Sequence, residues 1–526
     1  MVARSIDEKI SSLTMKEVED VSESASEGSR LQQMSMECPP FYKNRNLFIL
    51  YLLMIPGCLV PAVTLGFDSA MMNGLQSVPA WDAYFGRPRG AMLGILSAIL
   101  PLGCVIATPF ISLVGDRSGR RWGVFTGGSI MCVGGLIQGC SVNIAMFTVS
   151  RFIIGFGVVF ANTYAPVLIG ELAHPKDRQV VTSLYQTSYY IGSILAAWIT
   201  FATFTISTNW SWRIPSLLQC APALVMMGAV WALPESPRWL LAKGQPKAAE
   251  DVLVKYHANG DPNDLFVRLE FSEMQKIIDE EMSVKTTWAT LVKTPGNRRR
   301  MAILVCLGLF SQWSGNGLVS YYLARVLETI GITQAREQNI LNGSLQVFNW
   351  ITAVISAFLT AHLRRRTQFL VSVVGMLVVF ILQTLLSGLF NEQKNTTAGT
   401  AVIPMLFFFY LFYNFAFNAL LYSYPVEILP YPIRAKGMSV LMFFGKSATF
   451  VNAFVNPIGL KAIGWKYYIV YVGWLCVEVV CIYVFIVETK GPTLENIAEK
   501  FDGKPAVVEE EGGSIPDEQN GIDRKD

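Results

Sequence analysis

The chain of 526 residues is 52% hydrophobic and only 15% charged, with a net charge of +3. Soluble proteins carry about 25% Asp, Glu, Lys and Arg. A soluble chain of this length would form about three domains, and 81 ionisable acidic and basic groups, 42 basic and 39 acidic, are too few to cover their surfaces. The composition excludes a typical soluble enzyme and indicates a protein that crosses a membrane several times.

The cysteines and histidines form no pattern of chemical interest. Eight of the nine Cys lie in apolar stretches, with no CxxC motif and no Cys/His cluster, which is typical of buried thiols. The three His lie far apart in the sequence, and no GxxxxGK[ST] element is present. We therefore expect no metal, no cofactor, no ATP-driven pumping, no nucleic-acid partner and no enzymatic activity.

Apolar stretches long enough to cross a bilayer, which takes about 20 residues, begin after a polar segment. Residues 1–46 are rich in Ser, Glu and Lys and are predicted to be a disordered cytosolic tail rather than a signal peptide. The predicted spans are 47–66, 91–114, 122–140, 146–170, 182–205, 214–233, 301–325, 338–361, 368–390, 400–421, 436–459 and 466–487.

The spans divide into two sets of six. Residues 47–234 and 301–490 are predicted to form two six-helix bundles, joined by a polar segment at 235–300, and 491–526 is a cytosolic acidic tail. Loops in both halves carry similar charges, which indicates a duplicated unit. The predicted fold is an all-α membrane protein with twelve transmembrane helices and a cytosolic helical linker. A soluble enzymatic insert at 235–300 is disfavoured, because it has no catalytic set of residues.

The distribution of Lys and Arg sets the orientation, since cytosolic loops are enriched in both. The loops after the second, fourth, eighth and tenth spans are the basic ones, which places both termini in the cytosol. The sequon at Asn395 falls on the opposite, outer side, where it is a candidate glycosylation site.

Two charged residues lie at or inside predicted spans, where burying an ionisable side chain in the membrane is energetically costly. Asp68 follows the first span and Arg151 opens the fourth. One interpretation places Asp68 at the outer interface and lets Arg151 reach toward water. The other pairs them inside the bundle, where protonation of Asp68 would break the pair and couple a proton to a helix movement.

Several motifs, in order along 47–500, resemble the sugar porter family of the major facilitator superfamily. They are GDRSGRR at 115–121, Arg151-x-x-x-Gly155, Pro166 with Glu171, PESPRWL at 234–240, YPxExxP from Tyr424, RAKG at 434–437 and VETKG at 487–491. WRIP at 212–215, KYHANG at 255–260 and QWSGNG at 312–317 further resemble the fungal lactose permease-like branch.

The resemblance implies a central sugar site and a cytosolic charge network. Amide side chains suit sugar hydroxyls because they both donate and accept hydrogen bonds, although each polar residue could instead bridge helices. The implied substrate-binding residues are Gln186, Gln312, Asn316, Tyr321, Tyr322, Asn349, Tyr422 and Lys446. The implied gating residues are Asp116, Arg117, Arg120, Arg121, Glu171, Arg178, Glu235, Arg238, Glu427 and Arg434, with Glu235 and Arg238 placed to contact Arg121 or Arg178. Asp68 and Arg151 match the proton-coupling pair of symporting members.

The sequence also departs from the family pattern. Ser311 and Gly317 replace an expected Gln and Asn, Tyr422 stands at the usual Trp, and Ala361, His362 and Arg364 make the second Arg loop irregular. Lys446 lies within the eleventh span, where it either faces the cavity or marks a later start of that span. A cavity lysine would favour an acidic or strongly hydrogen-bonding ligand.

The resemblance implies a monomeric carrier in the lipid bilayer, in the plasma membrane, that moves a sugar such as a disaccharide or hexose by proton symport. The linker would latch the two halves in the outward-facing state. A non-transporting nutrient sensor and an exporter of a secondary metabolite are the alternatives.

Overall fold

The computed structural model describes residues 34–283, 287–360, 362–490 and 501, and all regular structure in these ranges is helical. The helices of the first half, in chain order, are α1 (Arg45–Met54), α2 (Val60–Leu75), α3 (Pro79–Tyr84), α4 (Ala91–Ser118), α5 (Arg120–Gly139), α6 (Ile144–Leu172), α7 (Arg178–Thr203), α8 (Trp210–Leu218) and α9 (Cys220–Val230). The linker contains α10 (Pro237–Ala242), α11 (Pro246–Tyr256), α12 (Leu265–Ser283) and α13 (Thr290–Lys293).

The second half repeats this plan. Its helices are α14 (Pro295–Trp313), α15 (Asn316–Glu328), α16 (Ala335–Thr360), α17 (Arg365–Gln393), α18 (Thr396–Tyr413), α19 (Ser423–Ile428), α20 (Tyr431–Ile463) and α21 (Tyr467–Phe485). Wide π-helical turns interrupt the first and tenth spans, at Ile55–Leu59 and Asn414–Asn418. The seventh span breaks at Gly315, whose φ of 110° is a left-handed conformation that favours glycine.

Nine segments of the described chain are long and apolar enough to cross a membrane. One of them, Lys436–Phe485, holds most of α20 and all of α21, so it supplies two crossings. The more polar helices α5 and α7 complete the twelve, and the predicted fold is confirmed. The first crossing runs from Arg45 to Leu75, well beyond the predicted end at residue 66.

Glycines let the helices of the first half approach closely. A Cβ on Gly66 of α2 would overlap the carbonyl oxygen of Tyr189 in α7, and a Cβ on Gly192 would overlap that of Val63. The two helices therefore touch through their backbones, as small residues allow inside a membrane. Each half also has its own cluster of buried apolar residues. The cluster of the first half includes Met54, Val158 and Met226.

The disordered tail was predicted to extend to residue 46, but its last residues, 34–46, are ordered. Residues 34–46 pack on the protein, because Lys176 Nζ donates to the carbonyls of Met36 and Cys38, and Asn44 Nδ2 donates to the Tyr256 carbonyl. Asn44 also caps α1 by accepting from the Leu47 amide. Residues 1–33 and, apart from Phe501, the predicted tail 491–526 lie outside the described ranges.

Candidate functional site

A cavity of about 200 Å³ lies between the two halves and is lined by residues of both. A water molecule needs about 10–15 Å³ by this measure, so the cavity has room for a small polar solute. Most of the predicted substrate-binding residues line it: Gln186, Gln312, Asn316, Tyr321, Asn349, Tyr422 and Lys446. Asp68 and Arg151 lie in the same wall.

Asp68 and Arg151 form an ion pair inside the first half. Arg151 Nη1 and Nη2 lie 3.3 Å from Asp68 Oδ1 and Oδ2 respectively. Arg151 Nε also donates to the Leu96 carbonyl at 2.7 Å. Asp68 is 4% exposed and Arg151 2% exposed. Arg151 does not open its span, because α6 begins about two turns earlier, at Ile144. The guanidinium therefore points into the bundle rather than toward water.

The amides of the cavity are partly engaged by neighbouring side chains. Asn316 Nδ2 donates to the Tyr413 hydroxyl at 3.2 Å, and Asn349 Oδ1 accepts from Asn414 Nδ2 at 3.3 Å. Gln186 and Gln312 line the cavity from opposite halves. Each amide has more than one donor or acceptor site. These contacts hold the amides in place while leaving capacity for hydroxyl groups of a solute.

Tyr322 does not line the cavity, and its prediction as a ligand-closing residue is wrong. It is fully buried, and its hydroxyl donates to the Ala453 carbonyl at 2.5 Å. Consecutive residues of a helix point about 100° apart, so Tyr321 and Tyr322 face different surroundings. Tyr321 lines the cavity, whereas Tyr322, whose φ of −135° and ψ of 26° depart from helical geometry, packs in an apolar cluster with Phe67 and Trp81.

Four further tyrosines line the cavity and were not singled out in the sequence: Tyr189, Tyr190, Tyr410 and Tyr413. The Tyr190 hydroxyl donates to Asn414 Oδ1 at 2.7 Å, which joins the two halves across the cavity. A tyrosine in an apolar helix is usually a residue of the buried core, so residue type alone gave no sign that these four line a cavity. The adjacent pair Tyr189 and Tyr190, three residues after Gln186, was the available signal.

Polar contacts close the outer side of the cavity. Gln76 Nε2 of the first half donates to the Tyr321 carbonyl at 2.6 Å, and Asn339 Nδ2 of the second donates to Ser77 Oγ at 2.8 Å. Arg325 donates to the Gln76 carbonyl at 3.3 Å and lies 3.8 Å from Asp82. These bonds tie the outer ends of the two halves together, so the outer side of the cavity is closed in this structure.

The cytosolic end of the first half carries a compact charged group, here called the N-cluster: Arg120, Arg121, Glu171 and Glu235. Arg120 Nε lies 3.2 Å from Glu171 Oε2. Glu235 accepts the backbone amides of Arg120 at 3.1 Å and Arg121 at 3.3 Å, so it caps α5. Arg121 does not pair with Glu235 through its side chain, since its guanidinium lies over the Trp231 ring and donates to the Trp231 carbonyl.

The second half has a matching group, the C-cluster: Arg365, Arg366, Glu427 and Glu488. Arg365 Nη2 lies 3.1 Å from Glu427 Oε1, and Glu488 accepts the amides of Arg365 at 2.9 Å and Arg366 at 3.2 Å. The Arg366 guanidinium lies over Tyr483 and donates to its carbonyl. The charge repetition was recognised in the sequence, but Arg365, Arg366 and Glu488 were not among the predicted gating residues, because the irregular sequence at 361–364 obscures their match to the first half.

Four other predicted gating residues are described by the structure, and each has different surroundings. Arg434 donates to the Leu429 carbonyl within its own half, and Arg117 is exposed at the end of α4. The charge of Arg178 interacts with those of Arg238 and Glu171. The side chain of Asp116 lies outside the described part of the structure.

The linker binds the first half through a buried acid–base group. His257 Nδ1 lies 2.7 Å from Glu270 Oε2, and His257 Nε2 lies 3.2 Å from the Leu172 carbonyl at the end of α6. His174 stacks on Phe266 of α12. These contacts fix α11 and α12 against the cytosolic end of α6.

Comparison with known proteins agrees with this architecture. Residues 54–501 match the family model described as "Sugar (and other) transporter". The chain is 27% identical to the sugar transport protein MST3 of Oryza sativa over 77% of this chain and 78% of that protein. It is 27% identical to the high-affinity glucose transporter 1 of Candida albicans, covering 84% of each.

Solved structures share the fold. The inward-open xylose transporter XylE from E. coli has a TM-score of 0.70 at 21% identity, over 86% of this chain and 100% of that one. The proton:xylose symporter XylE bound to 6-bromo-6-deoxy-D-glucose has a TM-score of 0.71 at 20% identity, with the same coverage. The chain is a multi-pass membrane transporter rather than an enzyme, and it belongs to the "Sugar (and other) transporter" family of the major facilitator superfamily.

Proposed function

We propose that the protein imports a sugar or sugar-like solute by proton symport. The observation that carries the proposal is the buried Asp68–Arg151 pair in the wall of a cavity lined with amides and tyrosines. An ionised carboxylate inside a membrane needs its partner, and protonation removes that need. Proton binding to Asp68 would therefore free Arg151 and change the relative energies of the two conformations.

The cavity residues bind different parts of the solute. Gln186, Gln312, Asn316 and Asn349 hold solute hydroxyls, with Tyr321 and Tyr422 packed against the ring. Alternating access requires only that solute and proton bind the two states with different affinities. The outer contacts of Arg325 and Asn339 are made in the state described here and must break in the other.

The N-cluster and C-cluster keep the cytosolic end of each half together as it moves. The named relatives include a glucose transporter and a proton:xylose symporter, which supports sugar as substrate and protons as the coupled ion. We further propose the plasma membrane, a monomer and, from the motifs at 212–215 and 255–260, the fungal lactose permease-like branch. Glycosylation at Asn395 stays a prediction, since that side chain also caps α18 through the Ala398 amide.

Uptake in a hexose-transport-deficient yeast tests the proposal. Cells expressing the chain receive labelled glucose, xylose, lactose or cellobiose, with and without a protonophore. We expect accumulation that the protonophore abolishes, and that Asp68→Asn abolishes as well. Asp251→Asn, an exposed acid of the linker, is the matched control and should transport normally.

Other outcomes point elsewhere. Uptake that ignores both the protonophore and Asp68→Asn would contradict proton coupling. A chain at the cell surface that moves neither these neutral sugars nor their acid derivatives would contradict sugar import and favour a sensor or an exporter.

A further inference from the structure

Lys446 lies in the middle of a membrane-spanning helix rather than near its end. It belongs to α20, Tyr431–Ile463, and stands about three turns from Arg434 at the cytosolic end. A lysine stem can carry its charge only a short way toward water. Since Lys446 lines the central cavity, its ammonium group shares that space with the solute.

The cavity has no spare negative charge to balance this lysine. Asp68 is the one carboxylate among the cavity-lining residues that the structure describes, and both of its oxygens face Arg151 at 3.3 Å. The wall therefore carries a net positive charge even with Asp68 ionised, and protonation of Asp68 would increase it. Lys446 is half-buried, and a cation partly removed from water without a counter-ion is costly, so an anion is the ligand group that this wall favours.

A small side cavity shows where such an anion fits. It measures about 50 Å³ and is lined by Lys446 together with Gln312, Tyr422 and Thr449, all of which also line the central cavity. These three neighbours offer amide and hydroxyl donors beside the ammonium group. An anionic group placed there would receive a charge-assisted hydrogen bond, and the rest of the solute would extend toward Gln186 and Asn349.

We propose that the solute is a sugar acid whose carboxylate binds Lys446. This deepens the proposed function and rests on it for the identification of the cavity as the transport site. The hydroxyl groups of the same solute occupy the amides and tyrosines of the central cavity. Lys446 is thus the residue that selects a carboxylate-bearing sugar over its neutral parent.

Equilibrium binding to the purified full-length chain in lipid nanodiscs tests the proposal. The probes are D-glucuronate against D-glucose and lactobionate against lactose, at pH 7, where both acids are ionised. We expect at least one acid to bind tenfold or more tightly than its parent. Lys446→Met should weaken binding of that acid at least tenfold and of the parent sugar less than threefold, while Lys446→Arg should recover part of the loss. Lys461→Met, an exposed lysine of the same helix, should match the native chain.

Three results would overturn the proposal: neither acid binds more tightly than its parent, neither acid binds at all, or Lys446→Met weakens acid and parent equally. Because binding is measured without transport, the two proposals can fail separately. Acid binding through Lys446 with no protonophore-sensitive uptake would refute symport alone. Protonophore-sensitive uptake of neutral sugars with no preference for the acids would refute the carboxylate site alone.

Discussion

His257 of the linker lies 2.7 Å from Glu270, with the two side chains 3% and 4% exposed. Burial alone lowers the pKa of His257, but the charge and hydrogen bond of Glu270 and the Leu172 carbonyl raise it above its ordinary value of 6.5. Burial raises the pKa of Glu270, but His257 and Arg178 bring it below 4.5. His174, 5.2 Å from His257 between ring centroids, has its pKa lowered to about 4, by burial first and then by His257, and is neutral near pH 7.

These shifts predict that the linker docks most firmly in mildly acidic solution. The stabilisation from protonated His257 is complete below pH 6.5 and is lost as the pH rises through its raised pKa. That from ionised Glu270 is complete above pH 4.5 and is lost as the pH falls through its lowered pKa. Hydrogen exchange of α12, corrected for intrinsic rates, should therefore be faster at pH 8.5 than at pH 6.

Glu270→Gln provides the mutational check on this pair. Breaking a buried ion pair costs about 3–5 kcal/mol, so α12 should exchange much faster in the variant, with little difference between the two pH values. Lys276→Met, an exposed change on the same helix, should behave as the native chain. A pH effect that persists in Glu270→Gln would assign it to another group.

The caps of the N-cluster and C-cluster should contribute equally to stability. Glu235→Ala removes the acceptor for two amides of α5, and Glu488→Ala does the same for α17. Loss of a helix cap costs about 0.5–2 kcal/mol. Thermal unfolding in detergent should show a similar decrease for both variants and none for Glu250→Ala, an exposed linker acid. A decrease in only one of them would show that the two caps are not equivalent.

The glycine contact between α2 and α7 predicts an unequal pair of alanine variants. Gly192→Ala places a methyl group on the Val63 carbonyl, and overpacking of this kind costs about 1–3 kcal/mol. Gly228→Ala, in the sixth span, meets nothing within 4 Å and should be neutral or slightly stabilising. Melting temperatures and expression of the two variants provide the measurement. Equal stability would show that α2 and α7 separate easily.

Arg325 should determine how much of the population has its outer side closed. Its bond to the Gln76 carbonyl at 3.3 Å and its contact with Asp82 at 3.8 Å join the two halves, and both are lost in Arg325→Met. Hydrogen bonds to charged groups contribute about 1.5–3 kcal/mol, so the outward-open population should rise about tenfold or more. Exposed Arg336→Met is the control.

Pulsed EPR distances measure this opening. Spin labels at Ser207 and Gln334, on the outer loops of the two halves, report their separation once exposed Cys140 and Cys476 are replaced by Ser. A longer component should appear in Arg325→Met only. An unchanged distance distribution would mean that the other contacts suffice to close the outer side.

Most of the fold could be predicted from the sequence because apolar length determines membrane spans. The end of the first span could not, since α2 continues past Gly66 with polar Asp68, Ser69 and Asn73, which are buried against neighbouring helices instead of lying in water. Hydropathy does not distinguish a polar residue that faces another helix from one that ends a span.

The site was less predictable where the backbone conformation determines which side chains face the cavity. Tyr321 and Tyr322 are neighbours of the same type that point in different directions, and the sequence does not reveal which of the two faces the cavity. The C-cluster depends on which arginine of 364–366 begins α17, which the sequence pattern alone does not reveal. Lys446, by contrast, could be recognised because a charge in mid-span is costly unless it faces a cavity or a partner.

The wide turns at Ile55–Leu59 and Asn414–Asn418 have a mechanical consequence. A π-helical turn loosens the regular ladder of hydrogen bonds at one level of a helix, whereas the capped arginine groups tie the cytosolic ends of α5 and α17 firmly to their own halves. The second of these turns reaches the cavity at Phe417 and Asn418. We therefore expect the tenth span to bend most easily at this level, where a bound solute touches it.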